Sequence, residues 1–264
     1  MSALESINDE IISKILKKDK GGYFSVHSWK VIDFLKEGDN YVGYVTSIEV
    51  NYKDDNKDET TTYIAKCNPT KEHSQDLNSI MLLVFKHEID FLQDIAPKLS
   101  TFLVDQSPIS VPECLYSSME KTKEFFITRD LRIDGYKMFN KTNTIDLSNL
   151  LLVIHEIAKI HATGYVLIQK NSPEMVIKMY PNLAEGCYTR LTKLGDSIAQ
   201  AIESHMDLAL KLLKNTSEYE NVVSWIKSNK VNVLKIMTEN LDPQNDKFYT
   251  IIHGDCWTNN FLFK

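Results

Sequence analysis

The C-terminal stretch of the chain contains residues whose types and spacing could support chemistry. An apolar run at 249–252 leads into His253–Asp255, four residues intervene before Asn260, and a second apolar run follows at 261–263. A carboxylate at Asp255 could accept the proton of an attacking hydroxyl, and an amide at Asn260 could hold a magnesium ion that bridges phosphates. His-Gly-Asp alone is ordinary turn chemistry. With the asparagine at this spacing between two apolar strands, it predicts a phosphotransferase loop.

Lys66 is a second candidate, because it lies near the end of an apolar strand predicted at 61–67. A lysine at such a place can simply be a tolerated surface residue. A lysine that binds phosphates must lie at such a place, and it needs a carboxylate partner to hold it. The helix predicted at 79–95, which we expect Pro97 to end, places Glu88 beside its apolar stripe. Glu88 could equally be a solvated helix charge. Its possible pairing with Lys66 favours a functional interpretation.

The elements before Lys66 would form a nucleotide-binding sheet. In the loop 37–43, Gly38 and Gly43 would allow the backbone N–H groups to approach and cover phosphates. A plain hairpin is an equal alternative for this loop. Strands are predicted at 31–35, 44–52 and 61–67, with an exposed acidic hairpin tip at 53–59 and an amphipathic helix at 3–18 that Gly21-Gly22 ends.

The stretch 111–131 predicts two more strands around a charged hairpin. The second strand runs into Thr128–Leu131, which would be a hinge whose backbone groups bind the edge of an adenine; Thr128 and Asp130 are therefore candidate nucleotide-binding residues. Beyond residue 131 the pattern becomes helical. Helices are predicted at 146–168, 182–214 and 219–240, and His155 and His161 on the first fit core or rim positions better than ligand positions.

Composition limits the functional class. The chain has 264 residues, 43% hydrophobic and 25% charged, which is typical of a globular protein with one large domain or two lobes. A net charge of -6 leaves no basic excess for a nucleic-acid partner. We expect neither a secretory signal nor a membrane span. The four cysteines form no C-x-x-C pair, so we expect free thiols and a cytoplasmic location.

Seven motifs in the expected order resemble the ecdysteroid kinase-like family, which is related to choline kinases and aminoglycoside phosphotransferases. The resemblance implies an α+β, two-lobed protein-kinase-like fold, with an antiparallel small lobe at 1–131 that has one main helix and a mostly helical large lobe at 132–264. It also implies ATP-dependent phosphorylation of a small-molecule hydroxyl, with ecdysteroid alcohols as the best-known acceptors. The motifs are Glu37–Tyr41, the strand ending in Lys66, Phe85–Phe91, Val111–Cys114, Asp130-Leu131, Glu156–Ala162 and the block from His253 to Phe263.

Carried over by position, the resemblance assigns a role to each candidate residue. Asp255 would be the base, His253 would brace the loop, and Asn260 would bind Mg²⁺. Lys66 would bind the phosphates of ATP and Glu88 would orient it. The loop that would cover the nucleotide includes Gly38, Asn40, Tyr41 and Gly43.

The sequence departs from the family pattern at three places. Arg129 stands where the hinge usually has a glutamate, and Gly43 stands where a small serine or alanine is common. The family also carries a second metal-binding aspartate some way beyond the loop, and the sequence stops at Lys264 before reaching it. We therefore expect a truncated and impaired chain whose last apolar strand lacks a following partner.

Two alternatives stay open beside a small-molecule kinase. One is a catalytically inactive relative that binds a nucleotide or a small lipophile. The other is a protein kinase, which His-Gly-Asp followed by Trp257 disfavours. Trp257 itself could line an acceptor pocket or pack beneath the loop. The residues do not identify the acceptor or an oligomeric state.

Overall fold

A computed structural model describes residues 3–32, 44–55, 57–68, 75–140, 143–183, 196–214, 216–239 and 248–264. It combines an antiparallel sheet with helices, which confirms the α+β class. Contacts divide the chain into two compact units, Met1–Lys170 with Thr250–Lys264, and Asn171–Tyr249. The predicted lobe boundary at residue 131 is a different division and stays a prediction.

A five-stranded sheet in the order β1-β2-β3-β5-β4 forms the centre of the first unit. β1 starts well before the predicted residue 31. A register shift between Val26 and Ser28 interrupts the alternation of apolar residues there, which explains why the sequence pattern missed the strand. The strands are β1 Phe24–Ile32, β2 Tyr44–Asp54, β3 Lys57–Cys67, β4 Cys114–Ser118 and β5 Phe125–Arg129.

Helix α1 (Asp9–Lys20) covers one face of this sheet. The Asn8 side chain accepts a hydrogen bond from the Ile11 amide at its start, and Gly21 ends it, as predicted. Apolar residues at helical spacing bury one side of α1 against alternating residues of β2, β3 and β5, which builds the main core. The helix contributes Ile11, Ile12, Ile15 and Leu16.

Helix α2 (Gln75–Asp90) packs on the other face, where Phe85 and Ile89 contact Phe126 of β5. The prediction that Pro97 ends this helix is wrong. A π-helical turn at Phe91–Ile95 leads directly into α3 (Ala96–Ser100). Pro97 lies in the first turn of α3, where proline is tolerated.

The long helix α4 (Leu147–Asn171) confirms the helix predicted at 146–168. Two short strands also belong to the first unit, β6 (Lys137–Met138) and β7 (Leu262–Phe263), and they pair antiparallel. β7 thus has a partner earlier in the chain. The expected strand at 249–252 is not a strand in the structure, because its contacts go to α4 rather than to a neighbouring strand.

The second unit is helical in its described part. Helical turns or helices occupy 217–239 almost continuously, and a helix ends at residue 213, close to the predicted ranges. Lys230 and Asp207 form an ion pair within this unit, with 2.8 Å between Nζ and Oδ1. Its helices are α5 Pro173–Met179, α6 Asp196–Leu213, α7 Glu220–Asn229 and α8 Val233–Glu239.

Among the described helices, α4 alone is long and apolar enough to cross a membrane by length and composition. The core helix of a soluble protein passes the same test. On the inner side of α4, Lys159 is buried and binds the carbonyl oxygen of Pro108 at 3.0 Å, and Gly164 packs against residues near the C-terminus. This side of the helix therefore faces protein.

Candidate functional site

Lys66 and Glu88 form an ion pair between the sheet and α2. Nζ of Lys66 donates to Oε2 of Glu88 at 2.5 Å. Lys66 follows Ala65 of the main core and therefore points to the opposite face of the sheet, where α2 lies. The lysine side chain is 18% exposed and the glutamate 37%, so the pair lies at the edge of the core and is open to a ligand.

The position of Glu88 follows from the packing of α2. Phe85 is completely buried, and its ring centroid lies 5.3 Å from that of Phe126. Phe126 is the direct cross-strand partner of Lys66. Because residues three apart share a helix face, packing Phe85 against Phe126 brings Glu88 over the neighbouring lysine. The amphipathic pattern of the helix thus determines the pair.

The loop His253–Asn260 is closed by its own polar groups. The amide Nδ2 of Asn260 donates to both the backbone oxygen and Oδ2 of Asp255, each at 2.8 Å. Nδ1 of His253 accepts from the Asp255 amide at 3.2 Å. Gly254 has φ +80, which L side chains rarely adopt. Asp255 and Asn260 therefore lie together on an exposed turn, and the His253 contact suits a brace.

The segment before this loop is fixed to α4. The Thr250 hydroxyl donates to the carbonyl oxygen of His161 at 2.5 Å. A Cβ at Gly164 would lie 2.9 Å from the Ile251 amide nitrogen, which is closer than real Cβ atoms come. Gly164 therefore allows the chain to cross the helix at backbone distance. After the loop, Leu262 pairs with Met138, so the loop is anchored at both ends.

At the predicted hinge, Thr128 and Asp130 are both buried. The Asp130 carboxylate accepts from the Thr62 hydroxyl at 2.5 Å and from the Arg132 guanidinium at 2.6 and 2.8 Å. Burial raises the pKa of Asp130, but the hydrogen bonds from Arg132 and Thr62 outweigh burial and hold that pKa below its ordinary value. These contacts occupy the side chain, so any adenine contact would use the hinge backbone.

The remaining nucleotide-binding candidates, Gly38, Asn40, Tyr41 and Gly43, lie outside the described residues. The Lys66–Glu88 pair and the Asp255–Asn260 turn belong to the same compact unit. Their catalytic and binding roles stay predictions.

The residues of the turn fit magnesium in type and number. Asn260 uses its amide nitrogen toward Asp255, which leaves the amide oxygen for a cation beside a carboxylate. Mg²⁺ takes one or two protein oxygens and completes its shell with water and substrate phosphates. The described residues contain no group of three or more histidine, cysteine, aspartate or glutamate side chains that could hold a metal ion.

The antiparallel sheet with its helices is compatible with a kinase-like α+β fold. The model of the ecdysteroid kinase-like family matches residues 37–264, and the chain belongs to that family. Membership places it among kinase-like phosphotransferases of small molecules. No curated protein and no solved structure matches the chain in the same comparisons.

Three residues that the sequence analysis did not single out make contacts at or beside the predicted site. Gly164 had a usable signal, because an isolated glycine inside a helical pattern often marks a close packing contact. The sequence carries no such signal for Arg132 or Asp19. Their respective partners, Ser47 and Arg129, lie far away along the chain.

Proposed function

We propose that the protein is an ATP-dependent phosphotransferase that acts on a hydroxyl group of a small lipophilic alcohol of the ecdysteroid type. The observation that carries the proposal is the Lys66–Glu88 ion pair between β3 and α2. A kinase needs such a pair to hold the phosphates of ATP. Family membership supports transfer to small molecules, and the ecdysteroid acceptor is part of the proposal.

In the proposed reaction, the acceptor oxygen attacks the γ-phosphorus of ATP. The bond from that phosphorus to the β,γ-bridging oxygen breaks and ADP leaves, while the hydroxyl proton passes to the Asp255 carboxylate. Lys66 binds the phosphates, and Glu88 holds the lysine in place. Asn260 would hold Mg²⁺, which when bound neutralises phosphate charge. The exposed position of Asp255 leaves it accessible to an acceptor.

The acceptor class and the location belong to the same proposal. The described cysteines Cys67, Cys114 and Cys256 are free thiols, which supports a reducing, cytoplasmic location. The net charge of -6 supports a small-molecule partner rather than nucleic acid.

The test compares the wild type with Asp255→Asn. Transfer of labelled γ-phosphate to a hydroxylated steroid should fall about 10²–10⁴-fold in the variant, because the base is lost. Equilibrium binding of Mg-ATP should remain. Asp105→Asn, an exposed aspartate on a separate loop, makes the same charge change and should keep full activity.

Each contrary result identifies a different error. Full transfer by Asp255→Asn would remove Asp255 as the base. Mg-ATP binding by the wild type without transfer to any hydroxylated steroid would favour the inactive nucleotide-binding alternative. Transfer to a protein acceptor but not to steroids would favour a protein kinase.

A further inference from the structure

The end of strand β5 is held on both faces of the sheet. Arg129 faces α1, where its Nε lies 3.0 Å from Oδ1 of Asp19. The next residue, Asp130, faces the opposite side and is bound by Thr62 and Arg132. Successive residues of a strand point to opposite faces, so these two anchors hold the point at which the chain leaves β5. That point lies within the predicted hinge, Thr128–Leu131.

Asp19 joins two neighbouring strands. Its side chain is 3% exposed, and Oδ2 accepts from the Tyr63 hydroxyl at 3.1 Å. Tyr63 on β3 is the direct cross-strand partner of Arg129 on β5, so one carboxylate binds both strands at the same level. Burial, together with the Asp19 carboxylate, raises the pKa of Tyr63, so its hydroxyl stays a donor. Lys20 adds a second cation 3.1 Å from Oδ2.

The stability of α1 does not explain this aspartate. Asp19 lies in the last turn of the helix, where the helix dipole disfavours a negative charge. Burying a carboxylate also costs free energy unless it is paired. The apolar face of α1, with Ile12 and Ile15 fully buried, already holds the helix on the sheet. The carboxylate therefore contributes an ion pair with Arg129, without a hydrogen bond at Oδ1, and a hydrogen bond from Tyr63 at Oδ2, neither of which apolar packing supplies.

We infer that Asp19 is a positioning residue for the nucleotide. Through Arg129 it ties α1 to the hinge Thr128–Leu131, so that the hinge backbone is held ready for the edge of the adenine. The inference rests on the proposed function, because it needs a nucleotide at the hinge. It assigns α1 a role in binding in addition to its role in the core.

The test measures equilibrium binding of Mg-ADP to the full chain and does not depend on catalysis. Asp19→Asn keeps the size of the side chain and removes its charge, so Arg129 is no longer held. We expect the Mg-ADP dissociation constant to rise about three- to tenfold. Glu10→Gln is the matched control, because it removes an exposed carboxylate of the same helix whose ion pair, among the described residues, is with the neighbouring Lys14. It should bind Mg-ADP like the wild type.

A second variant covers the case in which Asp19→Asn does not fold. Arg129 is 45% exposed, so Arg129→Gln should fold and should weaken Mg-ADP binding by a similar factor. If Asp19→Asn folds, the double variant should bind no more weakly than the weaker single variant, because both changes break one contact. Urea unfolding of each variant separates binding from stability.

Binding by Asp19→Asn and Arg129→Gln equal to the wild type would overturn the inference and leave the proposed function standing. A loss of stability alone, with the Mg-ADP affinity unchanged, would overturn it too. If the wild type binds no Mg-ADP, both the proposed function and this inference fail. The two failures can therefore be told apart. Loss of Mg-ADP binding by the wild type contradicts both, whereas unchanged binding by the variants contradicts only the inference about Asp19.

Discussion

At the scale of single residues, the region of the predicted site depends on charged side chains that are paired inside the protein. Asp130 receives hydrogen bonds from Thr62, from the Arg132 guanidinium and from the Arg132 amide. Arg132 also reaches Ser47 on β2 at 3.0 Å. Leaving this buried carboxylate unpaired would cost free energy, and several donors bind it instead. Asp130 therefore helps to hold the hinge in place.

The Asp130 network predicts a pH dependence of stability. The pKa of Asp130 is lowered in the folded state, so its stabilisation is present above the unfolded pKa of about 3.9 and is lost as pH falls through the lower folded pKa. Asp130→Asn should lose about 2 kcal/mol of unfolding free energy at pH 7. Its stability should then fall less steeply than that of the wild type below about pH 4. Urea unfolding across pH measures both effects, and equal slopes would contradict the assignment.

The Lys66–Glu88 pair predicts an effect on activity that is larger than its effect on stability. Glu88→Gln should lower phosphate transfer by about 10²-fold, because Lys66 is no longer held on the phosphates. It should cost at most about 1 kcal/mol of stability, since both side chains are partly exposed. Steady-state kinetics and urea unfolding are the measurements.

The chain offers a matched control for this pair. Lys30 and Glu49 form a cross-strand ion pair on the same sheet, with 2.7 Å between Nζ and Oε1. Glu49→Gln should change neither turnover nor the KM for ATP. Equal losses of turnover in Glu49→Gln and Glu88→Gln would show that both glutamates have only a structural role.

At the scale of elements, α4 and β6 hold the predicted catalytic turn between them. Thr250 and Ile251 lie against Gly164 of α4, and β7 pairs with β6 after the turn. The turn is exposed, so neither burial nor a long strand ladder fixes its position. Its geometry depends on these two short contacts.

Gly164→Ala should therefore displace the turn. The added Cβ would lie 2.9 Å from the Ile251 amide nitrogen and from the Thr250 hydroxyl, so the backbone must move. We expect a loss of about 1–3 kcal/mol in stability, partly offset by the better helix propensity of alanine. Turnover should fall by about 10²-fold with a shift near 1 Å. Ala158→Ser, on the exposed side of α4, is the control and should keep its turnover.

At the scale of the whole molecule, the sheet, α2, α4 and the turn fall within one compact unit. A ligand that binds the folded state stabilises it by mass action, by about 2.7 kcal/mol at a hundredfold excess over its Kd. Nucleotide binding at this site should therefore be visible in the unfolding of the protein.

Mg-ATP at saturation should raise the Tm by roughly 5 °C, and it should slow amide exchange in β3 and α2. Asn260→Ala should reduce the part of the Tm shift that depends on magnesium and leave the shift with metal-free ATP unchanged. Differential scanning fluorimetry with and without EDTA checks both expectations. A magnesium-dependent shift of full size in Asn260→Ala would contradict the ligand assignment.

The sequence alone indicated the fold class, the family and the chemistry of the site residues. Lys66 and Glu88 could be predicted as a pair because strand alternation and helix periodicity are local patterns. The turn could be predicted from the spacing of His253, Asp255 and Asn260 along a short segment. The sequence did not predict the start of β1, because a bulge interrupts the alternation of apolar residues there. It wrongly predicted that Pro97 ends the helix, because a π-helical turn continues the helix into α3.

The tertiary structure alone decided which contacts hold these residues in place. Asp19 meets Arg129 across 110 positions of the chain, and Ser47 meets Arg132 across 85. Gly164 is needed because the chain before the turn crosses α4 at that residue. No local pattern encodes such partners, because packing of the elements brings them together.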